Sequence, residues 1–141
     1  MPSLGNYKLS SITPDTPLEL TIDGDLVGLL GNEAITKTGS PVSLAPTVSA
    51  SIVATFTVPV GKRLLIKGTT VGADGDGEFT LLVNSTVQLR VRNSWAEKAV
   101  SSAIEYLAVA GDTIDLEALN VSTHGNTNDY YGSWWGYLIT V

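Results

Sequence analysis

The chain has 141 residues, a net charge of −6, only 16% charged residues and no cysteine. That length suits one domain burying roughly two-thirds of its unfolded surface. The absence of cysteine removes disulfides, thiolate metal sites and cysteine nucleophiles together. The eight Lys and Arg form no concentrated basic face of the kind that releases counterions from nucleic acid, and none follows Lys98. No apolar run approaches the ~18 residues of a membrane span, and Met1-Pro-Ser-Leu-Gly-Asn-Tyr-Lys8 lacks the layout of a signal peptide. The expectations are therefore no nucleic-acid partner, no membrane partner and synthesis in the cytoplasm. The low charge has two readings: Ser and Thr on exposed strand faces, or surface covered in an assembly.

Residues 1–17 contain Pro2, Pro14 and Pro17 without a helical or alternating period, and read as an extended arm. Leu18–Asp23 alternates as a half-buried strand, Asp23-Gly24-Asp25 turns, and Leu26–Leu30 is a return strand. Residues 33–47, with Gly39, Pro41 and Pro46, read as a loose connector carrying one edge strand. Together these make an N-terminal arm over 1–47 with one or two short strands, followed by a β-sandwich over 48–141.

In the second part, strands recur at regular spacing. Ser49–Val58 is a Val/Ile/Thr/Phe run, and Arg63–Val71 leads into a Gly-rich acidic turn. Glu78–Val83 and Thr86–Arg92 flank an Asn84-Ser85 turn, with Val87, Leu89 and Val91 expected inward. Ala99–Val109 reads as a strand, and Thr113–Asn120 puts Ile114, Leu116 and Ala118 on one face and Asp115 and Glu117 on the other. The run Tyr130–Val141, dense in aromatic and β-branched residues, is expected as a central strand. Short strands joined by Gly-rich turns predict an all-β antiparallel jelly-roll sandwich.

Four patterns in the chain have a chemical reading. Asp74-Gly-Asp-Gly-Glu78 fails as a calcium loop, because an EF-hand's Gly at position six and Glu at position twelve would be Phe79 and Ser85. His124 is the single histidine and lacks partners for a multi-histidine metal site or a nucleophile elbow. Asp115 and Glu117 share a strand face about 7 Å apart, with Glu105 as a third acid. That spacing admits a glycosidase-type pair, but alternating acids on an exposed strand look the same. Asn84-Ser-Thr86 and Asn120-Val-Ser122 match glycosylation acceptors and read as chance matches. No catalytic set, metal or cofactor is expected.

The strongest pattern is aromatic. From Trp95 onward the chain holds all three Trp and four of the five Tyr. Adjacent Trp134 and Trp135 must occupy opposite strand faces, so either both faces are covered or one indole is exposed for binding. Gly111-Asp112-Thr-Ile-Asp-Leu116, a polar loop and Ser133-Trp134-Trp135-Gly136-Tyr137-Leu138 resemble the end of C1q/TNF-like jelly rolls. Those folds close with a Gly-Asp-x-Val-x-Leu strand, a loop, and Ser-x-aromatic-x-Gly-aromatic-Leu. The match covers about a quarter of the chain directly, and Ser133 stands one position nearer the first aromatic than in the usual motif.

The resemblance implies a homotrimer whose final strands pack around a threefold axis, with Tyr131, Trp134, Trp135 and Tyr137 at the trimer interface. Bacteriophages use similar small trimers as head decoration, or cement, proteins. The resulting expectation is a non-enzymatic virion protein on the capsid exterior. Its partners would be itself and the major capsid protein, the latter contacted through Leu4, Tyr7, Leu9 and Ile12 of the arm. The rival expectation is a trimeric receptor- or carbohydrate-binding fibre tip using His124, Asn126, Asn128 and exposed aromatics, and a third is a glycosidase-type enzyme. No stalk or repeat of the kind a fibre protein carries is found in these residues.

Overall fold

The computed structural model describes residues 32–46 and 49–141. The expected strands at 18–23 and 26–30, and the arm positions Leu4, Tyr7, Leu9 and Ile12, lie outside them. Nine strands are formed by the described residues. They are β1 (Asn32–Thr38), β2 (Val42–Leu44), β3 (Ser51–Thr57), β4 (Lys62–Ala73), β5 (Gly77–Val83), β6 (Thr86–Asn93), β7 (Ala99–Val109), β8 (Thr113–Asn120) and β9 (Asn128–Thr140). The connector expected with one edge strand thus holds two, β1 and β2. No helix among the described residues is long and apolar enough to cross a membrane.

The pairings identify the topology. β1 pairs with β9, β3 with β8, β4 with β7 and β5 with β6, all antiparallel. These nested pairs are what a long two-stranded ribbon gives when it closes at the β5–β6 hairpin. Rolling the ribbon then places β9 against β4 and β8 against β5. The product is a jelly-roll sandwich. One sheet has the order β1-β9-β4-β7, with β2 also on β9, and the other β3-β8-β5-β6. The C-terminal strand β9 is central, as its composition predicts.

Local chemistry explains the turns and the facing residues. The β5–β6 hairpin reverses at Asn84 and Ser85, with φ of 49° and 67°. Left-handed conformations at both positions match the strand twist, and Asn adopts them readily. β8 alternates as expected, with Ile114, Leu116 and Ala118 buried. They meet Phe79 and Leu81 of β5, Leu64, Ile66 and Val71 of β4, and Tyr130, Trp134 and Leu138 of β9 in one core. Each such fully buried large side chain contributes about 1.5–3 kcal/mol by leaving water.

Val87 departs from the expected inward set and is exposed. The β5–β6 register slips there, with Leu81 opposite Leu89 but Leu82 opposite Val87. Gln88 is the extra residue of a bulge, and a one-residue slip turns Val87 to the outer face beside Leu82.

Asn120 is fully buried where the loop after β8 begins. Its amide nitrogen donates to the Leu44 carbonyl at 2.8 Å and the Asn126 carbonyl at 2.9 Å, and its oxygen accepts from the Ser122 N–H at 2.9 Å. This asparagine is a structural cross-link between β2 and the β8–β9 loop. Asn120→Ala would strand three backbone groups, and a loss of about 1–3 kcal/mol is expected, measured as a lower urea midpoint with unchanged slope.

Candidate functional site

The two outer faces of the sandwich differ in chemistry. That of β3-β8-β5-β6 carries Thr55, Glu78, Arg90, Arg92, Asp115 and Glu117. Arg92 Nε donates to Glu78 there at 3.1 Å, and Thr55 Oγ1 donates to Asp115 at 2.6 Å. The outer face of β1-β9-β4-β7 instead exposes Leu107 and Val109 from β7 and Tyr131, Trp135 and Tyr137 from β9. Tyr137 lies opposite Leu65, itself opposite Leu107, and the row is continued by Ala34 on β1. Thr36, Thr38, Ser133, Thr70 and Ser101 fill the rows beside it. Large exposed aromatic and aliphatic side chains gathered on one face mark an interaction site more often than a scatter of single residues does.

A bulge in β4 builds this face. Ile66 lies opposite Gly136, but Gly68 lies opposite Trp135, so Lys67 is an extra residue. Before it Leu64 and Ile66 face inward; after it Thr69, Val71 and Ala73 do. The switch turns Gly68 and Gly72 outward, beneath Trp135 and Tyr131. A Cβ on Gly68 would stand 2.7 Å from Trp135 Cζ2, and one on Gly72 would stand 2.5 Å from Tyr131 Cε2. Both rings therefore lie down on bare backbone, covering the glycines while keeping one ring face in solvent. Tyr131, Trp135 and Tyr137 are 40%, 41% and 42% exposed.

Three of the four aromatics expected at an interface thus share one outer face. Trp134 is the exception and must be corrected. It is 0% exposed and packs edge-on against Phe56 of the opposite sheet, with ring centroids 5.6 Å apart. Strand alternation is the reason: odd-numbered β9 residues point out here and even-numbered ones point into the core.

An open groove of about 710 Å³ runs beside Trp135, lined also by Lys67, Thr70, Ser101, Ala103 and Glu105. Lys67 Nζ donates to Glu105 at 2.5 Å across it, and this bond, with the ammonium charge, lowers the Glu105 carboxyl's pKa. Glu105 lies on the opposite outer face of the sandwich from Asp115 and Glu117, so the three expected acids do not converge.

Asp112 of the resembling Gly-Asp pair is a turn staple. Gly111 takes φ 91°, a conformation natural to glycine. The Asp112 carboxylate accepts from the Val109 N–H at 2.9 Å and the Asn84 amide at 2.7 Å. The Asn84 oxygen in turn accepts from the Thr113 N–H at 2.9 Å, which ties the β7–β8 turn to the β5–β6 hairpin. The Val109 bond first and the Asn84 bond second lower the Asp112 pKa. A lowered folded-state value means stability that is full above the unfolded carboxylate value and lost as pH falls through the folded one. Asp112→Asn is therefore expected to flatten the loss of stability on acidification, read from urea midpoints at neutral pH and at about pH 3. Glu105 contributes with the same sign.

His124 and Asn126 are exposed in the β8–β9 loop, and Asn128 begins β9. Trp95 is the most exposed aromatic among the described residues, at 67%. It stands in the β6–β7 loop, and its backbone N–H donates to Asp76 Oδ1 at 2.9 Å. A cleft of about 290 Å³ is lined by Asp74, Asp76, Trp95, His124 and Asn126. Among the described residues no group of three or more His, Cys, Asp or Glu is placed to hold a metal ion.

No protein-family model matches the chain, and no curated protein sequence matches it. Solved structures with a similar fold include a chain of the cyanophage Pam1 capsid, at 13% identity and TM-score 0.44 over 97% of this chain and 99% of that one. Another is the virus-like particle of the extra small virus of the giant freshwater prawn Macrobrachium rosenbergii, at 15% identity and TM-score 0.30 over 90% and 86%. An insecticidal δ-endotoxin from Bacillus thuringiensis is similar over 73% of this chain at 16% identity and TM-score 0.43. This chain spans 20% of that toxin's length.

Proposed function

We propose that this chain is a structural virion protein that assembles as a homotrimer and binds the outside of a phage capsid as a decoration, or cement, protein. The observation that carries the proposal is the outer face of β1-β9-β4-β7, which exposes Tyr131, Trp135 and Tyr137 together with Leu107 and Val109. Burying that face against further copies removes it from water, and the polar face of the other sheet stays solvated. A ring-closing interface among three copies accounts for the low charge of the chain as covered surface. The C1q/TNF-like resemblance of the β8 and β9 sequences supports the threefold arrangement.

Capsid attachment is additive in this reading. Each copy contributes its arm, through Leu4, Tyr7, Leu9 and Ile12, and the trimer turns three modest contacts with the major capsid protein into one strong attachment by effective concentration. Shells assembled from the major capsid protein of the same genome provide the test. Mixed with the purified chain and pelleted, they are expected to carry it at fixed stoichiometry and to survive heating better than bare shells. Shells that pellet without it contradict the proposal.

A further inference from the structure

At one end of the sandwich three loops meet: 74–76 between β4 and β5, 94–98 between β6 and β7, and 121–127 between β8 and β9. Hydrogen bonds hold them together. The Asn93 amide donates to the Gly75 carbonyl at 2.8 Å, the Tyr130 hydroxyl donates to the Asp76 carbonyl at 2.7 Å, and the Ala73 N–H donates to the Lys98 carbonyl at 3.0 Å. The third loop is pinned by Asn120 on the Asn126 carbonyl at 2.9 Å and by the His124 N–H on Ser122 Oγ at 3.2 Å. Asp76 Oδ1 fixes the Trp95 backbone. The cleft among Asp74, Asp76, Trp95, His124 and Asn126 is therefore built before any ligand arrives, which lowers the ordering cost of binding.

We infer that this cleft binds a neutral hexopyranose, such as the terminal sugar of a cell-surface glycan. The Trp95 indole is a large apolar plane held in water, and the C–H-bearing face of a pyranose ring stacks on such a plane. The Asp74 and Asp76 carboxylates accept hydrogen bonds from sugar hydroxyls, and charge-assisted bonds of this kind are the strong ones. The Asn126 amide and the His124 ring supply donors for the hydroxyl oxygens. A hydroxyl both donates and accepts, and so satisfies this mixed set. An ammonium ligand only donates, and would use the carboxylates without drawing on the Asn126 and His124 donors. An anionic sugar would meet two carboxylates and no Lys or Arg in the lining. The cleft volume, about 290 Å³, is at the small end of ligand sites and suits one sugar ring. This inference stands on other residues than the trimer proposal, and neither needs the other.

The test is titration calorimetry of the full chain with neutral hexoses and with methyl glycosides, after a glycan array has picked the best neutral ligand. Trp95→Ala and Asp74→Ala are the variants, since both side chains are exposed and neither holds the loops together; Asp76 is left intact because it does. Each variant is expected to weaken binding by about tenfold or more with thermal stability and oligomer size unchanged. Binding by neither hexoses nor glycosides at millimolar concentration overturns the inference. So does preference for an anionic glycan or for choline, or an affinity untouched by Trp95→Ala.

Discussion

Trp134→Ala is expected to cost about 3–5 kcal/mol of folding stability, a large part of the ~5–15 kcal/mol that holds a typical domain together. The indole is fully buried between the sheets and packs edge-on against Phe56, so its loss leaves a cavity spanning both layers. Trp135→Ala, one residue away on the solvent side, is expected to cost the fold much less. Urea denaturation of the two variants gives the comparison directly. Equal losses would mean that the two indoles do not occupy opposite faces of β9.

The second large effect concerns assembly. Trp135→Glu places a carboxylate at the middle of the apolar face, between Thr36 and Gly68. In a closed ring every copy would bury that charge, and the neighbouring cation, Lys67, is already engaged by Glu105. At about 4 kcal/mol per interface the association constant falls about a thousandfold. Light scattering is expected to find monomers in the variant, and the far-ultraviolet circular dichroism is expected to match the parent because residue 135 points out of the core. A Trp135→Glu chain that remains fully associated would remove this face from the interface.

Much of the fold is legible in local pattern. Ile114, Leu116 and Ala118 alternate with Asp115 and Glu117, and β8 has that inward and outward set. The crowding of aromatics in β9 marks a central strand, and period-two alternation separates Trp134 from Trp135 once the direction of one of them is known. What alternation cannot supply is phase across a bulge. Lys67 and Gln88 each add one residue to a pairing, and each reverses the faces beyond it. Gly68 was the available clue in β4, since a glycine inside a strand marks a bulge or a close approach. β1, with the sequence Asn-Glu-Ala-Ile-Thr-Lys-Thr, has too few apolar residues to announce a strand, and its pairing with β9 comes from the far end of the chain.

The sites divide in the same way. Tyr131, Trp135 and Tyr137 could be found from composition because they lie within one strand. The Trp95 cleft could be found only in part: His124 and Asn126 of the β8–β9 loop are legible as polar candidates for a sugar, but Asp74, Asp76 and Trp95 come from two other loops that only the rolled ribbon brings to them. Asp112 shows the converse: a residue noticed as part of a motif proves to be a turn staple that acts through Val109 and Asn84.

The central claim is that the aromatic face of β1-β9-β4-β7 is where copies meet, and the native mass of the purified chain tests it most directly. The account predicts a single species at three times the 14.8 kDa chain mass, persisting at micromolar concentration. A monomer at that concentration, with Tyr131, Trp135 and Tyr137 still open to solvent, would contradict it.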